Sequence, residues 1–543
     1  METRAARTTG WVVVETLRNY GIDTVFGIPG THNLEFYRPL TALGVHPVTT
    51  RHEQGAGYAA DGWSLQTGKP GVVITTSGPG LLNALSAAGT AYCESRPMIL
   101  LSPGPARGRE FADVGTLHET KDQLAAASAI VEWGRRVHSA EEAVQAVHDA
   151  FALFASGRPR PVYIEVPLDL LEEEAELDAE TLVARTSAAP SAPDRASIAE
   201  AARLLAGASD PVILAGGGSR RATAELRALA ERLGAPVVTT LNAKGVLDEH
   251  HPLSLGANLR LAAARNRARD ADVLLVVGSK LGEAELWVER LEARGRVIRI
   301  DVAASQLDKN QAAEIGIVAD ASAALAALLD ALAGGDPAGA AGPAAGRDAR
   351  VPETLAAVAA ECAELSAVNT DIADAIAAAL PADAIVTTDS SQIAYWGLLN
   401  RLRVARPNST PYMATYATLG YGLPAAIGSR VAEPGRPVVA VVGDGALMFS
   451  LQEFMTVVEQ RLDITVIVVD NGGYAEIKQN EVDAGIAPIA VDLAQPDWAA
   501  LAEAFGGTGH RAGSADELAA AVAAAVASGG LHVIHLPQAA FTK

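Results

Sequence analysis

Cysteine is nearly absent. Only Cys93 and Cys362 occur, far apart and without metal-like spacing, so a disulfide or zinc framework is excluded and a reducing compartment, the cytoplasm, is expected. Positive charge is also short: 43 Lys and Arg stand against 64 Asp and Glu, a net charge of -21, which leaves no electrostatic footprint for nucleic acid. Long hydrophobic runs are missing. Stretches such as "DVLLVVG" and "ITVIVV" stop well short of the roughly 20 residues that a bilayer requires. The opening "METRAARTTGWVVVETLRNYG" has its apolar residues at helical spacing, with Glu15 and Arg18 on the other face, and reads as neither signal peptide nor span. Aromatics are only 5% of the chain.

What is abundant is Ala, Gly and Val, within an apolar fraction of 49% over 543 residues. That is the make-up of helices packed closely on parallel strands, in a chain too long for one core. Short β-branched runs alternate with Ala/Leu-rich segments of helical period, which predicts doubly wound parallel sheets. In the first third the predicted strands are "DTVFGI", "HPVTT", "GVVITTS", "PMILLS" and "PVYIEV"; "RTSAAPSAPD" then reads as a linker. The middle third carries "PVILAGGG", "PVVTTL", "DVLLVVGS" and "RVIRIDV", and ends in the low-complexity "GGDPAGAAGPAAGRDAR", expected to be mobile. The last third carries "AIVTTDSS", "PVVAVVGDG", "ITVIVVDN" and "LHVIHLP". Three α/β domains follow, at residues 1–180, 195–333 and 352–543.

Two polar clusters sit where buried strands should end: Gly443-Asp444-Gly445, and Asp470-Asn471-Gly472-Gly473. In open parallel sheets ligands bind beyond the carboxyl ends of strands. Glycines let the backbone approach a phosphate, and the segment "FSLQEFMTVVEQRL" is expected to point a helix N-terminus at it. Asp444 would repel that phosphate unless a cation stood between, and Mg²⁺ fits, since it takes oxygen ligands and shares diphosphate oxygens. Asn471, one helix and one strand later, reaches the same edge with an amide oxygen, and Gly473 can offer its carbonyl. Either cluster alone also reads as an ordinary turn. Asp389, Ser390 and Ser391 in "TTDSSQIAYWG" form a third anion-facing element or a plain helix cap.

These residues resemble the thiamin diphosphate-dependent family of the acetolactate synthase and 2-oxo acid decarboxylase type. The likeness spans nearly the whole chain: "TRHEQGAGYAADGWSLQTGKPGVVITTSGPGLLN" is similar to the family's pyrimidine-binding motif, and "YATLGYGLPAAIG" to the stretch beneath the cofactor. The resemblance implies pyrimidine-binding, central and diphosphate-binding domains in that order. It implies Asp444, Asn471 and Gly473 as Mg²⁺ ligands, with Gly443, Gly445, Ala446, Ser391 and Gln392 around the diphosphate. Ile393 stands where synthases often have His, and Asp470 where Asn is commoner. Glu53 and Asn83 are implied to bind the cofactor, with Glu53 sharing a proton with its aminopyrimidine ring. Leu419 is implied to bend the cofactor, and the Ala417 carbonyl to orient its amino group. Taken alone, Glu53 is a helix-start glutamate and Leu419 a core leucine in a Gly-rich turn. The resemblance also implies a site shared between subunits, hence a homodimer at least and a homotetramer as the usual form.

After a 2-oxo acid loses carbon dioxide, protonation gives an aldehyde, and addition to a second 2-oxo acid gives an acetohydroxy acid. "FGIPGTHNLEFYRPL", "GTLHETKDQ" and "NGGYAEIKQNEVDAGIAPIAVDLAQPDW" look more like 5-guanidino-2-oxopentanoate decarboxylases than acetolactate synthases, so decarboxylation is expected and carboligation is the alternative. His118, where synthases tend to carry Gln, can relay a proton or be a surface-loop histidine. His32 and Asn33 either bind the substrate carboxylate or cap the next helix. Glu35 and Glu476 are candidates to pair with a guanidinium tail, or are solvated helix glutamates. Gln479 and Asn480 depart from the basic or aromatic residues expected in that subgroup. In the middle domain "LAGGGSR" reads as a tight turn, and "VVGSKLGEAELW" replaces the Arg-rich strand end of FAD-binding synthases, which speaks against FAD. A non-catalytic relative is the remaining alternative.

Overall fold

The computed structural model describes residues 7–186, 192–334 and 347–542. Parts of the expected linker (187–191) and of the expected mobile stretch (335–346) lie outside the described residues. Every apolar run read as a strand forms one, and the strands gather into three sheets whose paired neighbours are all parallel. The first holds β1 (Thr24–Gly27), β2 (His46–Thr49), β3 (Gly71–Ile74), β4 (Met98–Gly104), β5 (Trp133–Arg136) and β6 (Val162–Pro167), in the order β2-β1-β3-β4-β6-β5. The second holds β7 (Pro211–Ala215), β8 (Val237–Thr239), β9 (Ser254–Gly256), β10 (Val273–Val277), β11 (Arg296–Asp301) and β12 (Ile315–Val318), in the order β12-β11-β10-β7-β8-β9. The third holds β13 (Ile385–Thr388), β14 (Val438–Gly443), β15 (Ile464–Asp470), β16 (Thr508–Arg511) and β17 (Leu531–Pro537), in the order β13-β14-β15-β17-β16.

Four strands were not expected from the sequence: β5, β9, β12 and β16. All four lie at sheet edges, where a strand has a single neighbour and a continuous apolar run is not needed. β12 alternates buried and exposed residues, and β5 is half-buried throughout.

The first and third sheets share one apolar core, which runs from Val13, Phe26 and Ile74 to Ala440, Val442 and Val466. Their meeting point is the crossing of helix Glu53–Thr67 on helix Gly422–Ala432. A Cβ on Gly62 would come 2.3 Å from the Ala425 carbonyl oxygen, and one on Gly428 would come 1.8 Å from that of Ala59, so only glycine permits this approach. Arg96 ties in the central sheet. Fully buried, it donates to Asp61, to Tyr421 Oη (3.0 Å), to Asn242 Oδ1 (3.0 Å) and to the Tyr412 carbonyl. No helix among the described residues is long and apolar enough to cross a membrane.

Candidate active site

At the carboxyl edge of the third sheet, β14 ends at Gly443 and Asp444 opens a single helical turn, Asp444–Leu447. This corrects one expectation: "FSLQEFMTVVEQRL" is not one helix facing the site. It splits into a 3₁₀ turn, Leu451–Glu453, and a short helix, Phe454–Glu459, because Met448 to Ser450 form a turn of their own. The amides at the strand end are therefore those of Asp444 to Ala446.

Asp444 is 1% exposed and its Oδ2 has no hydrogen-bond partner. Burial pushes its pKa up to about 6, opposed by the Gly445 amide and supported by the charge of Asp470. The Asn471 amide oxygen lies 3.2 Å from Asp444 Oδ1 and 3.1 Å from the Gly473 carbonyl oxygen. Three acceptors thus face one another with no proton between them. Turning the Asn471 amide would supply hydrogen bonds; a cation among the three oxygens would satisfy them all and offset the cost of the buried carboxylate. The donor set, all oxygen, suits a hard divalent ion. Gly473 has φ 139° and a Cβ there would strike the Val491 carbonyl oxygen at 2.2 Å, so the turn that aims its carbonyl requires glycine.

Ser391 closes over this edge: its Cβ lies 3.0 Å from where a Cβ on Gly443 would be. Gln392 follows, with Oε1 at a long 3.5 Å from Asn471 Nδ2. A Cβ on Gly445 would meet the Tyr474 ring at 2.9 Å, so glycine keeps this cradle open. Asp389 does cap a helix, though not its own: its Oδ1 accepts from the amides of Tyr421 (2.6 Å) and Gly422 (3.0 Å) at the start of Gly422–Ala432. Its Oδ2 is buried and unpartnered, and burial pushes its pKa up to about 6.

The loop before that helix carries Ala417 and Leu419. Ala417 adopts φ 52°, a left-handed conformation that costs a non-glycine residue energy, and such strain clusters at functional sites. Two bonds hold the loop: Glu94 Oε1 accepts from the Thr415 amide (2.6 Å), and Tyr58 Oη meets Thr418 Oγ1 (2.8 Å). Leu419, the next residue, is half-buried.

In the first sheet region, Glu53 is the first residue of its helix and its Oε2 accepts from Asn83 Nδ2 (3.0 Å). The backbone just before it is fixed by Glu453, fully buried, whose carboxylate accepts from the amides of Arg51 (3.1 Å) and His52 (3.0 Å). His32 and His118 come together with ring centroids 5.1 Å apart, on a cavity of about 180 Å³ that Ser77 and Gln123 also line. His32 Nδ1 bonds Ser77 Oγ (2.7 Å), and burial, then the His118 charge, hold the His32 pKa below the ordinary imidazole value. Asn33 stands at the N-cap of the next helix without a side-chain capping bond, and does not line that cavity. It is fully buried and ties the turn through the Gly30 amide (2.7 Å) and the Ile28 carbonyl (3.0 Å). Glu35 is already paired: Arg38 Nη2 (2.6 Å) and Thr8 Oγ1 (3.0 Å) donate to it, so no cationic ligand finds it free.

A further cavity of about 360 Å³ opens at the carboxyl ends of β7, β10 and β11, where Gly217, Gly218 and Gly278 line it. Its charged residues include Glu94, Arg158, Lys280, Glu285 and Asp301.

Three family models match the chain: the thiamine pyrophosphate enzyme N-terminal TPP binding domain over residues 7–126, the central domain over 198–328 and the C-terminal TPP binding domain over 389–536. The chain is 38% identical to a probable 2-ketoarginine decarboxylase of Pseudomonas aeruginosa, over 99% of this chain and 95% of that one. It is 32% identical to the large subunit of acetolactate synthase isozyme 1 of Escherichia coli, over 88% of this chain and 84% of that one. A probable acetolactate synthase large subunit of Methanocaldococcus jannaschii is 31% identical, over 93% of this chain and 88% of that one.

Proposed function

The chain belongs to the thiamine pyrophosphate enzymes, and on that premise we propose that it decarboxylates a 2-oxo acid to an aldehyde without oxidation, with 5-guanidino-2-oxopentanoate as the substrate. The single observation behind the site assignment is the convergence at one strand edge of Asp444, whose buried Oδ2 has no partner, with the Asn471 amide oxygen and the Gly473 carbonyl. These three would hold Mg²⁺, and Gly443, Gly445, Ala446, Ser391 and Gln392 would surround the diphosphate beside it. Thiamin diphosphate, when bound, supplies the carbon nucleophile for the 2-oxo group.

The chain's own residues position groups and move protons. Glu53 would share a proton with the aminopyrimidine, Asn83 donating to its Oε2 (3.0 Å) and so orienting the carboxyl group; the Ala417 carbonyl would orient the amino group and Leu419 would bend the cofactor. His118, with His32 beside it and bonded to Ser77 Oγ (2.7 Å), would relay a proton from water for aldehyde formation, one ring nitrogen taking up a proton as the other gives one. What favours decarboxylation, and the guanidino substrate, over joining two 2-oxo acids is the 38% identity to the probable 2-ketoarginine decarboxylase over almost the full chain.

The site is completed by a second protomer in this reading, at least as a homodimer and in the usual form as a homotetramer. Support comes from apolar surface flanking the residues named: Leu82, next to Asn83, is 43% exposed, and Met448 and Phe449, just past Ala446, are 42% and 45% exposed. The free thiols Cys93 and Cys362 support a cytoplasmic location.

Product analysis by mass spectrometry with pyruvate and 5-guanidino-2-oxopentanoate tests the reaction. The aldehyde from the guanidino acid is expected; acetolactate from pyruvate would overturn the assignment. Glu53→Gln is expected to keep the fold and the circular-dichroism change on cofactor binding while losing about 100- to 10,000-fold in turnover. Turnover near wild type would remove Glu53 from the mechanism.

A further inference from the structure

Glu476 stands three residues past Gly473, in the first turn of helix Ala475–Asp483, and its Oε2 accepts from Gln392 Nε2 (3.1 Å) and Trp396 Nε1 (3.0 Å). Both donors are neutral. Among the described residues no Lys, Arg or His forms an ion pair with it, so a half-exposed carboxylate is held in a fixed orientation with its charge uncompensated. Its neighbours are aromatic. Trp396 and Tyr395 come from a π-helical stretch, Ala394–Leu398, a geometry found mostly at functional sites. Trp287, from the central sheet's side, takes φ 54°, rare for a bulky residue, and sets its ring 5.0 Å from that of Trp396 at 64°. Both indoles are half-buried and so keep ring surface open.

We propose that Glu476, Trp396 and Trp287 form the receptor for a cationic end of the substrate, which restricts the enzyme to 2-oxo acids whose side chain ends in a guanidinium or an amine. This rests on the 2-oxo acid reading given above. A carboxylate anchored by neutral donors offers its remaining lone pairs to a planar cation, and indole faces attract the same charge. One cation is already near: Arg260 lies 4.8 Å from the Trp287 ring. It is only 4% exposed, whereas Glu476 is half-exposed. The more accessible of the two charges is therefore negative, which disfavours an anionic tail.

The test uses the full chain with thiamin diphosphate and Mg²⁺, and compares 5-guanidino-2-oxopentanoate with 2-oxooctanoate, an uncharged chain of similar length. Glu476→Gln is expected to lower kcat/KM for the guanidino acid by about 10- to 100-fold, as loss of a charge-assisted hydrogen bond does, and to change it by less than about 2-fold for 2-oxooctanoate. Equal loss on both substrates, or no loss on either, would overturn the receptor. Calorimetry with 5-guanidinopentanoate, which lacks the reacting 2-oxo group, separates this from the reaction itself. If wild type turns over neither 2-oxo acid yet binds this probe, and Glu476→Gln weakens that binding about 10-fold or more, the reaction falls and the receptor stands. Equal binding to wild type and variant overturns the receptor whatever the reaction.

Discussion

At the carboxyl edge of the central sheet, β7 and β10 end in Gly216-Gly217-Gly218 and Gly278, and a cavity of about 360 Å³ lies between them. At the edge of the third sheet, β14 and β15 end in Gly443-Asp444-Gly445 and Asp470-Asn471. The two edges share strand direction, glycine turns and buried carboxylates, and differ in how those carboxylates are met. In the central crevice Asp301 takes both its oxygens to Arg158 (3.0 Å each) and a third bond from the Ala303 amide (2.9 Å). Lys280 Nζ donates to the Cys93 carbonyl (2.7 Å), and Glu285 accepts from the Leu241 amide (3.0 Å). At the third sheet, Asp444 and Asp389 each leave one buried oxygen without a partner, and Asn471 turns its oxygen toward two more acceptors. Architecture alone makes a crevice; acceptors without donors distinguish the edge proposed to hold Mg²⁺.

If that distinction is sound, substitutions at the two edges separate ligand binding from stability. Asp444→Ala is expected to weaken Mg²⁺-dependent retention of thiamin diphosphate by about 1,000-fold, more than the 10- to 100-fold that losing a supporting group costs a metal site. Unfolding of the cofactor-free protein should hold or shift upward, because a buried, unpartnered carboxylate is gone. Calorimetric titration showing unchanged affinity would collapse the comparison. Asp301→Ala should do the reverse, costing about 3 kcal/mol in denaturant unfolding by stranding Arg158, with cofactor affinity within about 2-fold. A large drop in cofactor affinity there would mean that the central crevice is coupled to the cofactor, with Glu94 the route: it lines the cavity and also holds the Thr415 amide of the Leu419 loop.

How much of this could be read from residue order follows from how local each interaction is. Interior strands were legible because burial on both faces forces a continuous apolar run, as in β10 and β15; β5 and β16, with one neighbour each, carry no such signature. The Asp444 and Asn471 edge was legible because both lie at ends of adjacent legible strands. The support for Glu53 was not: Glu453 reaches the Arg51 amide from 402 residues away. Glu35 was a different failure. Arg38 sits three residues on, the spacing at which helical side chains meet, so its pairing was there to be read. The Trp287 and Trp396 contact joins two sheets and depends on a π-helix and a left-handed tryptophan, neither of which leaves a periodic trace.

The smallest expected effect tests whether the central edge is as self-sufficient as its hydrogen bonds suggest. Burial pushes the Glu285 pKa up to about 7, against which the Leu241 amide pulls only in part. A carboxyl group whose folded value is raised holds its proton longer in the folded chain than in the unfolded one. Its contribution to stability is full below the unfolded value of 4.5 and is lost as pH rises through about 7. Glu285→Gln keeps the shape and removes the titration, so the variant should gain on wild type between pH 5 and pH 8. Because Glu285 lines an open cavity and solvent screens it, the gain should be about 1 kcal/mol rather than the full linkage value. Urea unfolding at the two pH values reads this directly. A gap that stays constant would mean that Glu285 keeps one charge state across this range, and that the central edge meets its carboxylates through fixed bonds alone.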